Sequence, residues 1–143
     1  MGKKRIITES GQDNATSTAA KSATSSKKKL VNGVVHIEAT YNNTKLLLTD
    51  PAGNAMLWSS SGSLGFKGAK KGTPFAAGKV AELLADKAQP LGLKEIDVVL
   101  RGVGAGREAA VRALSGKGLV INKLTDRTPV PFNGPKARKP RRV

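Results

Sequence analysis

The chain has 143 residues, with 25 Lys and Arg against 10 Asp and Glu, a formal net charge of +15, and no cysteine. This length suits one domain rather than two, and the absence of cysteine excludes disulfides and thiolate metal sites, as fits a reducing compartment. No apolar run approaches the ~20 residues that span a bilayer, no hydrophobic signal segment is seen, and the charge excess points to a polyanionic partner.

Residues 1–29 hold seven Lys/Arg and two acids, with Lys3, Lys4 and Arg5 near the start and Lys27, Lys28 and Lys29 at the end. Between them lies a Ser/Thr/Ala/Gly-rich stretch, and only Ile6 and Ile7 are sizeable apolar side chains. Such a segment buries too little surface to offset its ordering entropy, so a disordered basic arm is expected. Glu9 and Asp13 count against a transit peptide, and Ile6 stands where an N-myristoylation motif needs Ser or Thr.

An α/β domain is expected over 30–128. Val34–Thr40 alternates, with Val35, Ile37 and Ala39 on one side and His36, Glu38 and Thr40 on the other, the pattern of a half-buried strand. Tyr41-Asn42-Asn43-Thr44 reads as a turn, because asparagine tolerates left-handed backbone angles. Lys45–Thr49 is a second strand. Asp50-Pro51-Ala52-Gly53 fits a type I turn, and Ala55–Ser59 is a third strand, which completes an antiparallel meander. A Gly/Ser/Lys loop runs from Ser59 to Gly72. Thr73 then serves as N-cap and Pro74 as the first residue of a helix. Its apolar stripe is Ala76, Val80, Leu83, Leu84 and Ala88, and Pro90 and Gly92 end it. Ile96, Val98, Val99 and Leu100 form a strand. A loop with Gly102, Gly104 and Gly106 leads into a short helix from Arg107 to Leu114, and Leu119–Leu124 is the last strand. Strand, helix, strand, helix, strand implies right-handed parallel crossovers. The expected fold is a three-layer α/β/α domain with a mixed sheet of about five strands and helices on its faces. Over 129–143, Pro129, Pro131, Pro135 and Pro140 forbid regular structure, Asn133-Gly134 marks a turn, and Lys136, Arg138, Lys139, Arg141 and Arg142 make a basic tail.

Two loops carry the chemistry. In the first, Gly104 and Gly106 free the backbone at a helix N-terminus, where unpaired N–H groups and the helix dipole favour an anion, and Arg101, Arg107 and Arg112 add charge. In the second, Gly65-Phe66-Lys67-Gly68-Ala69-Lys70-Lys71-Gly72-Thr73-Pro74 sets lysines among glycines and feeds a helix start. Both read as phosphate sites, and the phosphate as that of RNA. Phe66 either stacks on an unpaired base or anchors its loop in the core; the residues alone leave both open. Gly104-Ala-Gly106-Arg-Glu-Ala109 matches the dinucleotide pattern G-x-G-x-x-G/A, with Asp126 about twenty residues on. A dinucleotide enzyme is disfavoured because no second nucleotide-binding half and no substrate domain follow. His36 and Glu38 share a strand face, but no nucleophile–base–acid set or metal-ligand cluster is visible. Aromatics are 3% of residues, which argues against an extended base-stacking platform and leaves phosphate and shape contacts to carry the affinity.

Several stretches in one register, from about residue 31 onward, resemble the universal small-subunit ribosomal protein eleven family. They are His36-Ile-Glu-Ala-Thr-Tyr-Asn-Asn-Thr44, Asp50-Pro-Ala-Gly-Asn54, Gly65-Phe-Lys-Gly-Ala-Lys-Lys-Gly-Thr-Pro-Phe75 and Gly102-Val-Gly-Ala-Gly-Arg-Glu108. The series continues with Thr125-Asp-Arg-Thr-Pro-Val-Pro131, Asn133-Gly134 and Arg141-Arg-Val143. The resemblance implies a non-enzymatic protein, without cofactor, on the platform of the small ribosomal subunit. It implies bridging of small-subunit ribosomal RNA helices near the Shine-Dalgarno cleft and the messenger RNA, beside ribosomal proteins seven and eighteen, with no membrane and no homo-oligomer. By the same resemblance, Phe66, Lys67, Lys70, Lys71, Arg107 and the tail residues Lys136, Arg138, Lys139, Arg141 and Arg142 would touch RNA, with Asn42, Asn43 and Asn133 in RNA-facing loops. The chain departs from the family at Val103 and Ala105, where prolines are usual, and at Lys67 and Lys70, where arginines are common. A nucleic-acid-binding protein outside the ribosome is the alternative.

Overall fold

The computed structural model describes residues 30–140. The expected disorder of the arm over 1–29, and the tail residues Arg141 and Arg142, lie outside the described residues.

Five strands and two α-helices follow in the order β1 (Asn32–Ala39), β2 (Thr44–Thr49), β3 (Ala55–Ser60), α1 (Pro74–Ala88), β4 (Glu95–Arg101), α2 (Gly106–Gly116) and β5 (Val120–Asp126). The strand order across the sheet is β3-β2-β1-β4-β5. β2 is antiparallel to both β1 and β3, while β1, β4 and β5 run parallel. This is the mixed five-stranded α/β sheet that the alternation and the crossover pattern imply.

The local signals act as their chemistry dictates. The Asp50 carboxylate accepts from the Asn54 backbone N–H at 2.8 Å and from the Asn54 side-chain amide at 2.8 Å, while Gly53 takes φ of 94° to close the turn. Those bonds also hold the Asp50 carboxyl below the usual carboxylate pKa, the Asn54 side chain contributing most. Thr73 Oγ1 accepts from the Ala76 N–H at 3.3 Å and caps α1, with Pro74 behind it. Gly92 (φ 84°) stops the chain after a 3₁₀ turn at Gln89–Leu91.

Two layers, not three, are found among the described residues. The crossover from β3 through α1 to β4 and the crossover from β4 through α2 to β5 move across the sheet in the same direction. Two right-handed crossovers of the same direction leave both helices on one face. The helices accordingly pack along each other as well as on the sheet. The core lies between them and Val35, Ile37, Leu46, Leu48, Ile96, Val98 and Leu100. This also explains why α1 buries Ala77, Ala81 and Ala85 beside the expected Ala76, Val80, Leu84 and Ala88, while Leu83 is only half-buried. The stripe facing the sheet and the small-residue row facing α2 together wrap most of the helix. The opposite face of the sheet carries His36, Glu38, Lys45, Leu47, Trp58, Val99 and Arg101, and among the described residues no helix covers it.

Candidate nucleic-acid interface

Because β1, β3, β4 and β5 all point one way, their C-terminal ends and the turn between β1 and β2 gather at one end of the sheet. Both glycine loops emerge there. The turn Thr40–Asn43 sits between them, closed by a bond from the Thr40 N–H to the Asn43 carbonyl at 2.9 Å and by Thr40 Oγ1 accepting from the Asn43 N–H at 3.1 Å. Sequence spacing alone does not join these three segments; the close approach of backbones does.

On one flank, Gly72 lies so near the turn that a Cβ there would stand 2.1 Å from the Tyr41 carbonyl oxygen. The same loop is tied at its base by Ser61, whose N–H donates to the Thr44 carbonyl at 3.0 Å and whose hydroxyl donates to Asn43 Oδ1 at 2.5 Å. On the other flank, a Cβ on Gly104 would stand 2.3 Å from the Thr40 carbonyl oxygen, and the Gly104 N–H donates to the Ala39 carbonyl at 2.9 Å. Gly102 is the member of this loop with left-handed backbone, at φ 97°. Gly106 opens α2 and is buried; a Cβ there would meet Thr44 Oγ1 at 2.5 Å and Ala77 Cβ at 2.8 Å. Gly104 and Gly106 therefore serve close packing, and the N–H of Gly104 is already engaged within the fold.

The cations divide into two groups. Lys67 and Lys70 are exposed and Lys71 is half-buried, around the 3₁₀ turn Gly68–Gly72, with no acid in that stretch. Arg107 is engaged internally: its guanidinium donates to the Gly102 carbonyl at 2.7 Å and pairs with the Asp126 carboxylate. Asp126 also accepts from the Thr128 hydroxyl at 2.6 Å and the Thr128 N–H at 2.9 Å. The two Thr128 bonds, and then Arg107, hold the Asp126 carboxyl down at about 2. Thr128 Oγ1 in turn accepts from the Gly102 N–H at 3.1 Å. Asp126, at the position where a dinucleotide site would place its ribose-binding acid, is thus spent in a knot that fastens the glycine loop to the root of the C-terminal tail.

Phe66 is half-buried, with its ring edge-on to Phe75 at 6.2 Å between centroids. That contact favours the anchoring role for Phe66. It leaves Phe75, absent from the sequence-based candidates, as the exposed ring of the pair, with the Lys79 ammonium 5.8 Å from its centroid. Asn42 is exposed, whereas Asn43 is half-buried and engaged with Ser61. Asn133 takes φ of 95° in the expected turn, and Lys136, Arg138 and Lys139 are exposed on a tail without regular structure. Among the described residues no group of acids and histidines is arranged to hold a metal, and no helix is long and apolar enough to cross a membrane.

The family model for Ribosomal protein S11 matches residues 33–142. The match covers most of the chain, and the protein belongs to that family. It is a ribosomal protein of the small subunit, it binds ribosomal RNA, and it works in translation as a structural component of the cytoplasmic ribosome.

Proposed function

We propose, from the premise of S11 membership, that this protein bridges helices of the small-subunit ribosomal RNA on the platform. The RNA is gripped at the end of the sheet where the turn and the two loops meet. In this reading Lys67, Lys70 and Lys71 neutralise phosphates, Asn42 and Thr73 offer polar contacts beside them, and Lys136, Arg138, Lys139, Arg141 and Arg142 extend the grip along the tail. Gly104, Gly106 and Arg107 shape the loop and orient the tail root, with Asn133 turning the tail that follows. The domain of 30–128 is the rigid body, and the segments 1–29 and 129–143 are its basic extensions. The site lies near the Shine-Dalgarno cleft and the messenger RNA, with ribosomal proteins seven and eighteen as neighbours.

One observation carries this: three segments distant in the chain converge at one end, and the lysines there have no acid among them. A folded protein has no need to hold lysines together in that way unless a polyanion meets them. The test is sedimentation of the tagged protein from its own cells, followed by chemical footprinting of the RNA. Co-migration with small subunits through a moderate salt wash, with protected nucleotides on two helices of the platform, is the expected result. Protection of a single helix would refute bridging, and migration at the top of the gradient would favour a nucleic-acid binder outside the ribosome.

A further inference from the structure

The uncovered face of the sheet holds a groove of about 670 Å³, in which Trp58 lies beside Leu47, with His36 and Val99 farther across the sheet and Lys45, Arg101 and Arg127 also in the lining. Trp58 is 68% exposed. A tryptophan that open, on a face with neighbouring aliphatic side chains, marks a contact surface rather than a stray residue. In the sheet register Trp58 faces Leu47, Leu47 faces His36 and His36 faces Val99, so these side chains make one row across four strands. Two residues along, Lys45, Glu38 and Arg101 make a parallel row. Glu38 lies between the two cations, yet among the described residues it forms no ion pair with either. The groove thus has one row of Trp58, Leu47, His36 and Val99, with His36 its one polar member, and a second row that is net positive.

We infer that this groove binds a short unpaired stretch of RNA, one base stacking on Trp58 and its phosphates meeting Lys45, Arg101 and Arg127. The inference rests on the RNA-binding reading above and adds a second contact surface to it. Sheet spacing sets Lys45 roughly 8 Å and Arg101 roughly 16 Å from Trp58, a span of two to three nucleotides. Stacking of an unpaired base on an exposed ring, with arginine and lysine at the backbone, is how sheet surfaces take single-stranded RNA. A protein segment would fill the Trp58 row equally well, but three cations against Glu38 favour a polyanion.

Trp58 is the one tryptophan of the chain, so tryptophan emission of the full-length protein, excited at the red edge where Tyr41 does not absorb, reports this face alone. Hexauridylate with an end label is titrated while anisotropy follows total binding and tryptophan emission follows the groove; inorganic polyphosphate is the base-free control. Quenching by hexauridylate and not by polyphosphate is expected. Trp58→Ala should weaken hexauridylate binding roughly 5- to 150-fold, the range for one stacked base, and Trp58→Phe should restore much of it. Labelled RNA that binds with unchanged emission and equal affinity in Trp58→Ala overturns the groove proposal and leaves the RNA reading standing. Failure of both hexauridylate and small-subunit ribosomal RNA to bind overturns both. A photo-crosslinker placed at position 58 that reaches protein instead of RNA in the assembled subunit overturns the groove proposal in favour of a protein occupant.

Discussion

Arg107 and Lys70 carry the same charge, but the fold uses them differently. Arg107 is bound to Gly102 and Asp126, so Arg107→Ala removes an internal tie as well as a charge. It should lower the melting temperature of the free protein by a few degrees. Lys70 is exposed, and Lys70→Ala should leave melting unchanged while weakening RNA binding. Melting curves and filter binding on both variants separate the two roles; equal melting of the two would remove the structural part of the Arg107 account. Asp126 gives this knot a pH signature. Its folded value, about 2, lies below the ~3.9 of an unfolded carboxylate. Its stabilising contribution is therefore present above about pH 4 and fades as pH falls toward 2. Melting of the wild type and Asp126→Asn should differ at pH 6 and converge near pH 2. A difference that persists to pH 2 would mean that the carboxylate charge is not what matters.

At the scale of elements, glycine separates two functions that look alike in sequence. A Cβ on Gly106 would press on Thr44 Oγ1 and Ala77 Cβ at the crossing of α1 and α2, so Gly106→Ala overpacks the core and should cost ~1–3 kcal/mol. The nearest atoms to a Cβ on Gly72 would be backbone atoms of Tyr41 and Asn42. Gly72→Ala should therefore move the lysine loop away from the turn, reducing RNA affinity with a smaller loss of stability. Urea unfolding and RNA binding measured together test the pair, and the account fails if Gly72→Ala is the more destabilising of the two. Leu84, fully buried among the sheet side chains, sets the scale, with Leu84→Ala expected to cost ~2–5 kcal/mol. Much of this layer was legible in the sequence. Alternation placed β1, Thr73-Pro74 placed the start of α1, and Asp50-Pro51 placed the turn before β3. The number of layers was not legible from those local signals, because it depends on the direction of both crossovers together. The internal engagement of Arg107 was hidden for a similar reason: its partner Asp126 is nineteen residues away and meets it only once β4 and β5 pair. Trp58 read as an ordinary strand residue, since nothing local reveals that its face of the sheet stays uncovered.

For the whole molecule, the distribution of charge decides how RNA is held. The body over 30–135 has thirteen Lys/Arg and eight acids, whereas 136–143 has five Lys/Arg and no acid. Each phosphate neutralised releases counterions, so the affinity of an RNA-bound protein reports its number of contacts through salt. With ~6–10 phosphates engaged, affinity for naked ribosomal RNA should fall ~10³–10⁵-fold between 50 and 200 mM salt, by analogy with duplex DNA. Removing 136–143 should then flatten the slope of log affinity against log salt by about 3.5 to 4.5, if all five cations meet phosphate. The loops and the basic segment 1–29 should supply what remains, because Lys67, Lys70 and Lys71 stay in place with the folded body and seven Lys/Arg stay in 1–29. Tail and loop also differ in kind. In the described part of the tail, Lys136, Arg138 and Lys139 are exposed and without regular structure, so it adds charge with little shape. The loops are held by Gly72 and Gly104 against one turn, so they add shape with less charge. Tail removal should thus weaken all RNAs alike, whereas a triple Lys67, Lys70 and Lys71 to Ala variant should erode the preference for platform RNA over an unrelated duplex. A truncated protein with an unchanged salt slope would place the tail off the RNA, leaving the folded loops and the segment 1–29 to account for binding.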